Sequence, residues 1–171
     1  MGCLITKQIN KVCETQVAGI KLMAAANWSE TVKVTKNSDG VVTGITLPTG
    51  QKFYKVNGDS GAGYFNCNLN QGGNADSKSL MHEVGFLINR LDKDIISEYK
   101  SWVLGKIIVA VQDKNNDVYL LGLDNGMSAT AFNYASGAGA TDASGITATF
   151  EGIQPNAMVK VLSWDLISAK M

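Results

Sequence analysis

The chain has 171 residues, 45% of them hydrophobic and 18% charged, with a formal net charge of +0. That is enough chain for one self-sufficient core, with less charge than the about 25% usual in a globular domain. No run of Lys or Arg supplies the basic face that nucleic-acid phosphates require, and no apolar run reaches the about 18 residues of a membrane span. The cysteines Cys3, Cys13 and Cys67 are odd in number and form no CxxC, so reduced thiols are expected rather than a disulfide framework. The first residues lack the charged-then-apolar layout of a signal peptide. The chain is therefore expected to be made in the cytoplasm and not exported by the general secretory route.

In chain order, residues 1–18 read as an N-terminal arm, and residues 20–26 as the first strand of a single domain spanning 19–164. A loop is expected over 27–41. Val41, Thr43, Ile45 and Leu47 then share one face of a strand, and Phe53-Tyr54 begin a short run ending before Asn57-Gly58. Phe65, Cys67 and Leu69 alternate with Asn66 and Asn68, and Leu80, His82, Val84, Phe86 and Ile88 line one face of a long strand. Period two is the signature of a strand with one buried face. Over 92–104 the period changes: Ile95, Tyr99, Trp102 and Val103 fall at helical spacing. Asp92 is placed as the N-cap, Asp94 favours the first turn, Leu91 and Ile96 stand at staple positions, and Gly105 ends the helix. The Ile95, Tyr99 and Trp102 stripe is expected to bury against the sheet.

Ile107 to Val111 is a continuous β-branched-rich run, which predicts a central strand. Strands are expected again over 118–123, 127–136, 145–152 and 157–163, about ten in all by the same rules. Asn115-Asn116 suits a tight hairpin because Asn tolerates positive φ, and Asn125-Gly126 predicts a second hairpin. Gly137 to Gly145 reads as a flexible loop. Pro48 and Pro155 stand at strand ends. Residues 165–171 read as a C-terminal tail. The fold expected from these elements is mainly β with one helix at about 92–104.

Several motifs suggest chemistry. Gly58-Asp59-Ser60-Gly61 has the letters that surround a protease serine, but the one histidine, His82, follows it and no orienting carboxylate is evident; a turn is the better reading, though a small hydrolase using Ser60 stays as an alternative. His82 lies on an apolar strand face and reads as a structural core residue. Asp113-Lys114-Asn115-Asn116-Asp117 begins like a calcium loop. Its sixth position is Val118 where Gly is needed, and its twelfth is Asp124 where Glu is needed. Met1-Gly2-Cys3-Leu4-Ile5-Thr6 fits the N-myristoylation pattern, which gives a membrane-associated binding module as another alternative. No Gly-rich phosphate loop opens a helix. No enzyme, metal or cofactor is expected.

Two segments are poor in charge. Between Val56 and Ser77 only Asp59 and Asp76 are charged, and 125–152 carries only Asp142 and Glu151. Neither contains proline, so neither shows the devices that keep a sheet edge from pairing with another chain. The candidate subunit-interface residues are Phe65, Asn66, Asn68, Asn70, Ser128, Thr130, Thr147 and Thr149.

An arm with Cys13 leads into Gly19-Ile20-Lys21-Leu22. There follow Val42-Thr43-Gly44-Ile45-Thr46-Leu47, Gly50-Gln51-Lys52-Phe53-Tyr54, a long strand and the helix. Next come Ile107-Ile108-Val109-Ala110-Val111-Gln112-Asp113, Val118-Tyr119-Leu120-Leu121-Gly122, Asp124-Asn125-Gly126-Met127 and Ile146-Thr147-Ala148-Thr149-Phe150-Glu151-Gly152. In this order of elements and strings, residues 10 to 162 resemble the tail tube proteins of phages and prophages of gut bacteria. The resemblance implies an antiparallel β-sandwich or barrel of the tail-tube type with one flanking helix at about 92–104, and a structural virion protein whose copies close into rings, six to a ring, by joining sheets edge to edge. It implies stacking of rings into a hollow tube for DNA passage. The partners implied are other copies, other tail or neck proteins, and genome DNA passing without sequence recognition. No membrane anchor is implied, and assembly would take place in the host bacterial cytoplasm. A neck, tail-completion or injection-system tube protein is the nearest alternative.

Overall fold

The computed structural model describes residues 16–57, 63–71, 78–88, 93–136 and 144–171. The myristoylation pattern, Cys3 and Cys13, the Gly58–Gly61 turn, the Leu91 and Asp92 cap, the side chain of Ile95 and most of the 137–145 loop lie outside the described residues. So does all but the end of the 1–18 arm.

The apolar run at 107–111 sits in strand β7 (Lys106–Asp113), where Ile107 to Gln112 are all buried. Burial on both faces requires neighbours above, below and at both edges. Strand β1 (Ile20–Asn27) fills one edge, with Ala24 opposite Ala110 and Asn27 opposite Ile107. Two strands share the other edge. β8 (Val118–Leu121) pairs with Gln112 to Val109, and β9 (Met127–Ala135) begins against Ile107 and Lys106. The hairpin expected at Asn125-Gly126 is therefore not formed, since β8 and β9 lie end to end along β7. The chain between them leaves the edge and returns through Gly122 and Gly126, both at positive φ, with the Gly126 N–H donating to the Gly122 carbonyl at 3.0 Å. The other expected hairpin does form, and Asn116 at its tip has φ 69°.

Beyond β8 come β11 (Val159–Val161), then β3 (Val42–Thr46), then β2 (Lys33–Lys36) at the border. β11 and β3 run parallel, Val161 beside Val42, so the sheet is mixed where an antiparallel one was expected. Strand β2 occupies part of the segment read as a loop. Its register against β3 shifts between Thr35 and Lys36, and this bulge puts Val42 and Ile45 inward where strict alternation from Val41 put Ile45 with Thr43. β4 (Tyr54–Val56) borders β1. Beyond β9 come β10 (Gly145–Gln154), β6 (Lys78–Ile88) and β5 (Tyr64–Gln71).

The sheet folds over itself. Val84, Phe86, Ile146, Ala148 and Phe150 from β6 and β10 pack in one cluster with Met23, Ala25, Ile107, Val109 and Val111 from β1 and β7. The Phe65 ring of β5 lies 5.4 Å from that of Tyr119 on β8. The reverse face of β1 and β7 offers Ala24, Ala26, Ile108 and Ala110 to a second cluster with Val42, Phe53, Leu120 and Ile167.

Helix α1 (Lys93–Leu104) takes the predicted place, and the Gly105 N–H donates to the Ser101 carbonyl at 2.9 Å at its end. Of the stripe expected to bury against the sheet, Trp102 is half-buried, its ring 6.0 Å from Phe150 and edge-on to it, and Tyr99 is exposed because it lies over the β9 edge. A second helix, α2 (Asp165–Ser168), replaces the expected tail. Ile167 is fully buried, and the Lys170 carbonyl accepts the Phe53 N–H at 2.8 Å. These residues therefore close the second cluster.

Candidate functional site

A strand at a sheet border exposes a row of N–H and C=O groups, and single-chain proteins guard such rows. Three borders here are guarded. β2 is four residues long and carries Lys33 and Lys36. β4 is three residues long and carries Lys55. The edge of β9 past Ser128 lies against α1, where the Tyr99 ring stands edge-on to Phe132 at 5.1 Å and its hydroxyl reaches the Phe132 carbonyl at 3.4 Å. β5 differs from all three. Its eight residues, Tyr64-Phe65-Asn66-Cys67-Asn68-Leu69-Asn70-Gln71, hold no charge and no proline. They pair with β6 alone, and among the described residues nothing pairs with their other edge.

Period two sets what surrounds this edge. Phe65 points into the core, so of the eight predicted interface residues it is the one that packs inside. The other seven share the outer face of the layer ordered β5, β6, β10, β9. Asn66, Glu83, Glu151 and Ser128 make one row across it, and Tyr64, Gly85, Thr149 and Ala131 the next. Asn68 lies opposite Met81 and Asn70 opposite Ser79, while Thr147 lies opposite Asn133. Thr130 is the extra residue of a bulge against Thr149, whose carbonyl its hydroxyl reaches at 3.4 Å. The structure thus gathers these residues on one face, but only Asn66, Asn68 and Asn70 stand on the open edge. Among the described residues of segment 125–152, no edge is open. β10 lies between β6 and β9, and α1 covers β9.

Tyr64 and Glu83 belong to this surface and were not singled out from sequence. The Tyr64 hydroxyl donates to Glu83 Oε1 at 2.7 Å, and Asn66 Nδ2 donates to Glu83 Oε2 at 3.4 Å. The bond to Glu83 raises the Tyr64 phenol above its ordinary pKa, with desolvation adding to it. The ring lies flat across β6, so a Cβ on Gly85 would come within 2.2 Å of it. Glu83 and Glu151 stand directly opposite each other, a like-charge pairing that costs stability in a sheet. Leu69, on the inward side of β5, is still 62% exposed. No pattern in the sequence marks these features, since they depend on which strands become neighbours.

His82 is buried, as its strand face predicts, and its Nδ1 accepts the Gly122 N–H at 3.1 Å. Fully buried Gln154 holds the same bend. Its Oε1 accepts the N–H groups of Asp124 at 3.1 Å and Asn125 at 2.9 Å, and its Nε2 donates to the Gly126 carbonyl at 2.8 Å. Between α1 and strands β1, β4 and β7 lies an open cleft of about 600 Å³, lined in part by Trp102, Tyr54, Lys55, Asp94 and Glu98. Among the described residues no group of His, Cys, Asp and Glu could hold a metal ion, and no helix is long and apolar enough to cross a membrane. No family model, curated protein or solved structure matches the chain.

Proposed function

We propose that this chain is a non-enzymatic structural subunit of the tail-tube kind, which joins copies of itself along β5. The observation that carries this reading is the unguarded border. Eight residues without charge or proline end a sheet whose other borders are short, lysine-bearing or covered by a helix. An added strand would satisfy the free backbone groups of β5, and its side chains would cover part of Leu69. Two different borders meeting head to tail must close into a ring or run on as a filament. Rings of this kind, stacked, give a hollow tube through which DNA passes without sequence recognition. The order of elements that resembles tail tube proteins supports the ring of six over the open filament. The polar face beside β5, with Glu83 and Glu151 side by side on it, suits contact with other copies or with other tail or neck proteins.

Lysine at the edge is the direct test. Asn66→Lys or Asn68→Lys places a solvated charge on the bare border. Wild-type protein is expected to sediment as oligomers that grow with concentration and to show rings or tubes in negative stain. Each variant should keep the far-ultraviolet spectrum of the folded monomer and lose most of that association. A wild-type protein that stays monomeric at high concentration, with neither rings nor tubes, would overturn the reading.

A further inference from the structure

We propose that His82 is an acid-sensitive latch on the bend between β8 and β9. The bend runs from Gly122 to Gly126 and connects the two layers, since β8 belongs to the β7 layer and most of β9 to the β10 layer. Two buried side chains from the outer layer hold it, His82 of β6 and Gln154 of β10. Gln154 does not titrate. His82 does, and its bond has a polarity that only the neutral ring can satisfy. Nδ1 accepts from the Gly122 N–H, so the ring proton sits on Nε2. A second proton could enter only at Nδ1. There it would face the Gly122 N–H donor, and the bond would break.

The surroundings give the cation little help. The ring is 2% exposed, and among the described residues Nε2 has no hydrogen-bond partner within 3.5 Å. Burial therefore holds the imidazole below its usual range, against weaker upward pulls from the nearby Asn156 backbone and from Asp124. On β5, Cys67 is the register partner of His82, and on β10 the partner is Gly152. The neighbouring Glu83 turns to the outer face, where it accepts the Tyr64 hydroxyl. Among the described residues Asp124 is the one carboxylate that bears on the ring, and its Oδ2 already accepts Asn156 Nδ2 at 3.3 Å.

The sign follows from linkage. An opened bend exposes an ordinary imidazole that takes its proton near pH 6.5, whereas the closed bend resists the proton until a lower pH. The closed state is thus fully favoured above about 6.5. Below it, the ratio of open to closed rises up to about tenfold per pH unit until the folded pKa is reached.

His82 is the only histidine in the chain, so one imidazole signal in the nuclear magnetic resonance spectrum of the full-length protein reports the latch. At pH 7.5 it should be the neutral ring with the proton on Nε2. Amide-exchange protection at Gly122, corrected for intrinsic rates, should fall as the pH drops below about 6.5, by at most about tenfold per pH unit. The same drop should be absent in His82→Gln. A ring with its proton on Nδ1, an imidazole that titrates at the ordinary pKa, or Gly122 protection that is flat from pH 7.5 to 5 in the wild-type protein would each overturn the proposal. The tautomer and the wild-type exchange profile decide it even if the variant fails to fold.

Discussion

The layer built on β1 and β7 and the layer built on β5, β6, β10 and β9 differ in what their second face meets. In the first, Ile107, Val109 and Val111 face one cluster while Ile108 and Ala110 face another. In the second, Val84, Phe86, Ala148 and Phe150 face the shared cluster, and Asn66, Asn68, Ser128, Thr147 and their neighbours face outward. A strand buried on both sides has its contacts already filled. A strand buried on one side retains a face, and at the border an edge, that can meet something else. The difference locates where this molecule can be touched without being unfolded.

The comparison is sharpest where the layers meet. Phe150 is fully buried, with Phe86, Phe132 and Trp102 around it at centroid distances of 6.0, 6.3 and 6.0 Å. Phe150→Ala should cost about 3–5 kcal/mol in urea denaturation; a loss below about 1 kcal/mol would mean that the two layers do not rest on each other. On the outer face a smaller effect is expected. Gly85→Ala drives a Cβ into the Tyr64 ring, which is 43% exposed and can lift away. The cost should be about 1 kcal/mol. Difference titration against Tyr64→Phe should show the Tyr64 phenol moving down toward 10 as its bond to Glu83 is lost. An unchanged phenol would show that the ring never lay across β6. The smallest effect belongs to Lys160, whose Nζ lies 2.6 Å from Asp117 Oδ1 with both side chains about half exposed. Lys160→Ala should lower the unfolding free energy from urea titration by less than about 1 kcal/mol, and by less again in high salt.

Local pattern made the elements legible. The run at Ile107 predicts β7 because apolar residues at both parities can only be buried twice. The alternations at Leu80 and Phe65 predict β6 and β5, and the helical spacing of Tyr99, Trp102 and Val103 predicts α1. What the pattern could not carry is the identity of neighbours. Lys33-Val34-Thr35-Lys36 has a single apolar side chain and becomes β2 only because β3 offers an edge. The parallel contact of Val161 with Val42 joins segments far apart in the chain. Asn125-Gly126 has hairpin chemistry, yet β7 takes both flanking strands onto one edge. The same limit applied to the candidate surface. Two charge-poor segments looked alike as open edges. Only the topology separates β5, which is bare, from β9 and β10, which are enclosed.

The pairing of β1 with β7 also bears on how the chain reaches this state. Ala24 must find Ala110 across most of the intervening sequence, whereas β5 with β6 and β9 with β10 are antiparallel pairs of consecutive strands. Local pairs form in about microseconds, while folds dominated by distant pairings take about milliseconds to seconds. During synthesis β1 leaves the ribosome long before its partner exists, and at about 5–20 residues per second that wait lasts seconds. Both strands of the β5–β6 pair are made within that interval, so on the proposed reading the time over which copies could meet at β5 would begin before the double-sided core closes.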